Sequence, residues 1–146
     1  MQSVFEAVEA VDGFVVVQKF DEVSTLSPSS VVISAFNELC LLIAKRSTPQ
    51  ELHVLCENLI VEFGANFHVL ARALPNVLGM VSCCDSSQIS KNETDTFNLA
   101  NYSSLCFTLQ RFMRVISSTS RPIMLFLDDL QWADRKFNDL SFDYNK

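Results

Sequence analysis

The segment Arg121-Pro122-Ile123-Met124-Leu125-Phe126-Leu127-Asp128-Asp129 narrows the choice of fold more than any other part of this chain. Five apolar residues follow a proline and stop at two adjacent carboxylates. A run this short, apolar on both faces and bounded by Pro and charge, predicts a strand buried in a parallel sheet. Its carboxyl end would carry the acids to the rim where open α/β sheets bind ligands. One carboxylate at such a rim can hold Mg²⁺, directly or through water, while its neighbour orients or deprotonates a water attacking a phosphate. The plainer reading is a core strand with a polar end.

Upstream, residues 14–20 are β-branched and aromatic and predict a second strand, covered on both faces. Lys19 and Asp21 then fall at its carboxyl end, the edge also assigned to Asp128. Residues 1–11 place Val4, Ala7, Val8 and Val11 at helical spacing and stop at Asp12-Gly13. Ser27-Pro28 offers an N-cap and a first-turn proline to a helix with Val32, Phe36, Leu39 and Ile43 on one face and a basic end at Lys45-Arg46. Thr48-Pro49-Gln50-Glu51 has the form of a capping box. The helix it opens is lined by Leu52, Leu55, Leu59 and Phe63 and closed by Gly64. A short helix over residues 66–74 ends at Pro75, and Gly79 closes the next turn. Residues 82–96 are polar and aperiodic and predict a surface loop, a length that also suits a partner-binding insert. Leu99, Tyr102, Leu105, Leu109, Phe112 and Ile116 then describe a long amphipathic helix. The result is a mostly helical α/β chain with two strands, about 14–20 and 122–128, made parallel by the right-handed crossover between them.

At 146 residues and 49% hydrophobic content the chain can bury a core. Its net charge of −6 argues against a general nucleic-acid binder, which needs a basic face. The amino terminus lacks a basic start followed by an apolar run, and no apolar stretch reaches the roughly 20 residues of a membrane span. Five cysteines without metal-ligand spacing read as thiols of a reducing compartment, with Cys83-Cys84 the pair that could be redox-active. An intracellular, cytoplasmic protein is expected. Neither His53 nor His68 has a ligand or triad partner at useful spacing, so no metal site or nucleophile is assigned to them.

The extended string PIMLFLDDLQWAD, residues 122–134, resembles the Walker B region of the AAA-type ATPase domains of the STAND class. Those domains resemble origin-recognition ATPases and often sit in large signalling proteins beside kinase or cyclase modules. Gly13-Phe14-Val15-Val16-Val17-Gln18-Lys19-Phe20-Asp21 resembles the family's second strand, and Leu74-Pro75-Asn76-Val77-Leu78-Gly79 its Pro-bearing turn. The resemblance implies that residues 1–134 are part of a P-loop NTPase-type three-layer sandwich. Its second and third strands would then lie side by side, and residues 135–146 would form a divergent tail. It further implies Asp128 as the Mg²⁺ carboxylate and Asp129 as the water-orienting catalytic residue, with ATP as the nucleotide. Trp132, Asp134, Lys19 and Asp21 belong to the matching motifs without a defined role.

A phosphate-cradling loop needs Gly-x-x-x-x-Gly-Lys-Ser/Thr, because glycine lets backbone amides wrap the phosphates and Lys supplies charge. The three glycines, Gly13, Gly64 and Gly79, are followed by Phe, Ala and Met. The family's Walker A element would precede the helix of residues 1–11, so the expectation is a truncated domain that does not hydrolyse ATP alone. A non-catalytic helical module binding a protein partner or a complementary ATPase segment is the alternative. A phospho-acceptor receiver domain is disfavoured, since it needs a further Asp one strand-helix-strand beyond its acidic pair. An unpaired apolar edge on the Ile123–Leu127 strand would favour self-association.

Overall fold

A computed structural model describes residues 2–20, 28–82, 102–117 and 121–132. The chain runs α1 (Gln2–Ala10), β1 (Phe14–Lys19), α2 (Pro28–Arg46), α3 (Pro49–Phe63), α4 (Phe67–Ala73), α5 (Val77–Met80), α6 (Tyr102–Ile116) and β2 (Ile123–Asp128). Short 3-10 turns at Gly64–Asn66 and Leu130–Trp132 follow α3 and β2. The class is α/β, mostly helical, and β1 pairs with β2 in parallel, from Phe14↔Ile123 to Lys19↔Asp128. The ladder extends beyond both strands: the Phe14 N–H donates to Pro122 O at 2.8 Å and the Phe20 N–H to Asp128 O at 3.0 Å.

Side-chain alternation then sorts the strands between two faces. Phe14 and Val16 are buried, and Ile123, Leu125 and Leu127 pack against the same core. That core is completed by Phe36, Leu39 and Ile43 of α2, Leu55 and Leu59 of α3, Leu70 of α4, and Leu109, Phe112 and Ile116 of α6. The opposite face meets α1, whose Phe5 ring stands edge-on to Phe126 at 5.7 Å. Val17 on that face remains 50% exposed, so β1 is fully covered on one side only, against the expectation of two buried faces. Its Phe-Val-Val-Val run reflects β propensity as much as burial.

Local signals act where the sequence placed them. The Glu51 N–H donates to Thr48 Oγ1 at 3.3 Å, and the Thr48 N–H donates to Glu51 Oε2 at 2.7 Å, completing the capping box of α3. The Pro-bearing turn differs: it continues into the one-turn helix α5. There the Asn76 N–H donates to Asn37 Oδ1 and its side-chain amide to Asn37 O, both at 3.1 Å, binding the turn to α2.

Pro49–Ala73 is long and apolar enough, by length and composition, to cross a membrane, which the sequence reading did not anticipate. Gly64, at φ +49°, breaks this stretch into α3 and α4, and both halves bury side chains in the core. About a third of its apolar window is buried inside the fold. Cys40 and Cys106 are free thiols, and burial pushes the Cys40 thiol up to about 12. Cys56 is instead disulfide-bonded, which corrects the reading of all five cysteines as thiols of a reducing compartment. Most of the loop at 82–96, Cys83-Cys84, Leu99 and the tail at 135–146 lie outside the described residues.

The amino ends of the strands are held by a charged cluster. Arg121 donates from Nη2 to Glu51 Oε1 at 3.0 Å and from Nη1 to Arg46 O at 3.1 Å, and its Nε lies 3.2 Å from Asp12 Oδ2. Arg46 pairs with Asp12 at 2.6 Å, and both guanidinium groups lie over the Phe14 ring, at 5.5 and 5.6 Å from its centroid. Asp12 reaches this cluster because α1 ends in a Schellman turn: the Gly13 N–H donates to Val8 O, the Asp12 N–H to Glu9 O, and Asp12 takes φ +57°. Gly13 is required for room. A Cβ there would sit 2.5 Å from Val8 Cγ1, 2.7 Å from Val8 O and 2.8 Å from Pro122 Cγ. Gly13→Ala is therefore expected to destabilise the chain by about 1–3 kcal/mol, read as a lower urea midpoint at unchanged m-value.

Candidate functional site

The carboxyl rim of the sheet gathers Lys19, Asp128 and Asp129. Parallel pairing sets Lys19 directly opposite Asp128 in the ladder. Asp129 is the first residue past the strand, and its φ of +56° lies in the left-handed region that costs a non-glycine residue energy. That turn reverses the chain into the 3-10 turn Leu130–Trp132 and lets the Asp129 N–H donate to Asp128 Oδ1 at 2.9 Å. Asp129 Oδ2 lies 3.0 Å from Lys19 Nζ, and its Oδ1 accepts from Gln131 Nε2 at 3.0 Å. The hydrogen bond from Lys19, with that from Gln131, holds the Asp129 carboxyl below the usual carboxylate range.

Asp128 and Asp129 therefore differ in readiness. Both Asp129 oxygens are engaged, whereas Asp128 is exposed and uses one oxygen to accept its neighbour's backbone amide. An exposed carboxylate with an oxygen to spare fits a hard cation such as Mg²⁺, which needs one or two protein carboxylates and takes the rest of its shell from water and phosphate. No group of three His, Cys, Asp or Glu poised for a metal occurs among the described residues. His68 Nδ1 lies 2.8 Å from Ala65 O, so that nitrogen carries the proton, while Nε2 is buried with no partner among the described residues. The described glycines lie away from the rim: Gly13 precedes β1, Gly64 ends α3 and Gly79 sits within α5. The phosphate-cradling role thus has no candidate among them.

Of the residues singled out from sequence, Lys19, Asp128 and Asp129 are brought together. Trp132 closes the following 3-10 turn, and Asp21 and Asp134 lie outside the described residues. Gln131 was missed as a site residue; its signal is the spacing of two after Asp129, the acid that follows the strand end. The Arg46, Asp12, Glu51 and Arg121 cluster was missed too, because its members are scattered from residue 12 to residue 121 and meet only in the fold.

Comparison with known proteins finds the chain similar to the hybrid signal transduction histidine kinase G of Dictyostelium discoideum, 31% identical over 118 residues. The match covers 80% of this chain but 3% of the kinase's length. No family model and no solved structure matches the chain.

Lys19→Met is expected to raise the Asp129 pKa toward the ordinary carboxylate value, read by carboxyl ¹³C chemical shifts through an acid titration. Because the folded-state pKa is depressed, the interaction stabilises the protein above the unfolded carboxylate pKa and is lost as pH falls through the folded one. The parent should therefore lose more stability than Lys19→Met over that acid window. An unchanged Asp129 titration in the variant would contradict the assignment.

Proposed function

We propose that this chain is part of an ATPase domain of the STAND class of AAA-type signalling NTPases, comprising its second strand through its Walker B strand. The observation that carries the reading is the placement of Asp128 and Asp129 at the carboxyl end of β2, beside Lys19 of a parallel neighbour. Helices on both faces of that pair are in keeping with the three-layer sandwich of P-loop NTPases. The likeness to a short stretch of a much longer hybrid signal transduction kinase supports a place within a larger signalling protein.

In this reading Asp128 holds Mg²⁺ and Asp129 orients the attacking water, while ATP supplies the phosphates that complete the metal's shell. Lys19 keeps Asp129 ionised and fixed in its left-handed turn. Phosphoryl transfer is catalysed mainly by positioning and charge stabilisation, so acids without a phosphate cradle should not suffice. Residues 1–146 alone are therefore expected to show no ATP turnover and no micromolar uptake of Mg-ATP by calorimetry. Joined behind a strand-loop-helix segment carrying Gly-x-x-x-x-Gly-Lys-Ser/Thr, the chain should turn over ATP. Asp128→Asn should then lower that rate on the order of a hundredfold or more. A joined chain that binds no nucleotide, or is indifferent to Asp128→Asn, would overturn the proposal.

The partner we propose is a further strand. Parallel sheets are stable when extended and covered on both faces, and a pair of strands alone is marginal. Among the described residues β2 pairs with β1 only, although Ile123–Leu127 is apolar throughout. A complementary ATPase segment would fill the other side of β2; without one, a second copy of the chain should compete for it. Sedimentation of residues 1–146 is expected to show concentration-dependent association, reduced by Met124→Lys, which charges the apolar strand. A monomer at all concentrations would contradict this.

A further inference from the structure

A cavity of about 370 Å³ opens at the amino end of the strands, where Phe14 and Arg121 stand, at the opposite end of the sheet from Asp128. A six-residue strand separates the two ends by roughly 20 Å. The cavity does not belong to the acidic rim, and its interpretation is independent of the ATPase proposal. Phe14, Ile43, Leu55 and Ile116, each at most 4% exposed, form its apolar floor, at the outer edge of the core. Val54, 56% exposed, stands at its mouth, with Asn58 one helical turn further along α3. We propose that this cavity binds a small, uncharged, largely apolar molecule carrying one hydrogen-bonding group.

Size, charge and polarity each bear on that choice. The volume lies at the small end of ligand pockets, roughly 300–1,000 Å³. The charged groups at the rim are already committed. Arg121 donates to Glu51 and to Arg46 O and pairs with Asp12, while both Glu51 oxygens receive Arg121. The Thr48 backbone and side chain, with Arg121, hold Glu51 below the usual carboxylate range and therefore anionic. A charged ligand would have to break these pairs or lie unpaired against apolar walls, which is costly either way. Among the described residues, the amides of Asn58 and Gln50 and the Ser47 hydroxyl line the cavity and can receive one polar group.

Indole, which is neutral, planar and carries one N–H, is a suitable probe for the full 146-residue chain. Titration should produce saturable ¹⁵N amide shifts confined to residues near Ser47, Val54, Asn58 and Arg121. It should also raise the thermal midpoint with concentration, by mass action. Indole-3-acetate and tryptamine, which add a negative or a positive charge, should bind more weakly. Val54→Trp, at an exposed position, should put an indole ring over the mouth and abolish the shifts with circular dichroism unchanged. Asn58→Ala, equally benign to folding, should weaken binding roughly three- to tenfold. Shifts that do not saturate, that scatter over the surface, or that persist in Val54→Trp would overturn the site. Charged analogues binding as tightly as indole would overturn its proposed chemistry.

Discussion

Parallel pairing of β1 with β2 is the constraint on which the remaining structure depends. Two parallel strands cannot be joined by a tight turn, so the chain between them must leave the sheet, cross one face and return. That crossover is α2 to α6, and its apolar faces form the core over which Phe14, Val16, Ile123, Leu125 and Leu127 lie. The register also fixes the chemistry. With Phe14 opposite Ile123, Lys19 must stand opposite Asp128, and a slip of one residue would turn Phe14 and Val16 away from the helices.

The two ends of this sheet are built on different electrostatic plans. At the amino end two arginines and two acids neutralise one another around the Phe14 ring, joining the α1 turn, the end of α2, the start of α3 and the entry to β2. Such a network, partly shielded and multiply bonded, resists separation better than isolated surface pairs. At the carboxyl end, among the described residues, one lysine meets two aspartates. The imbalance leaves Asp128 with negative charge to offer, and the left-handed turn at Asp129 holds the pair close together.

Strand and helix positions were readable because each rests on local chemistry: the β-branched run at Phe14, the box at Thr48 and Glu51, the glycine after Phe63, the proline before Ile123. The parallel sense of the strands followed from the length of helix between them. The rim was legible in part, since adjacent acids after an apolar run can only stand at a strand end. What escaped was long-range. Gln131 acts through a turn whose handedness no composition rule specifies. The arginine cluster joins residues far apart in sequence, and the cavity is the gap between three elements and a strand end. Coverage of β1 was overcalled because propensity and burial favour the same residue types, and only the position of α1 separates them.

The register has a consequence for synthesis on the ribosome. Phe14 emerges early, but its ladder partner Ile123 follows on the order of a hundred residues later, a delay of roughly 5–20 s at common elongation rates. Throughout that interval the Phe-Val-Val-Val run lacks its β2 partner and waits as a sticky, half-clothed segment. Helices α2 to α5 can meanwhile form from nearby contacts, so the nascent chain should emerge as a helical cluster trailing an unpaired ribbon. Chaperones that hold extended apolar segments would shield such a ribbon until β2 emerges.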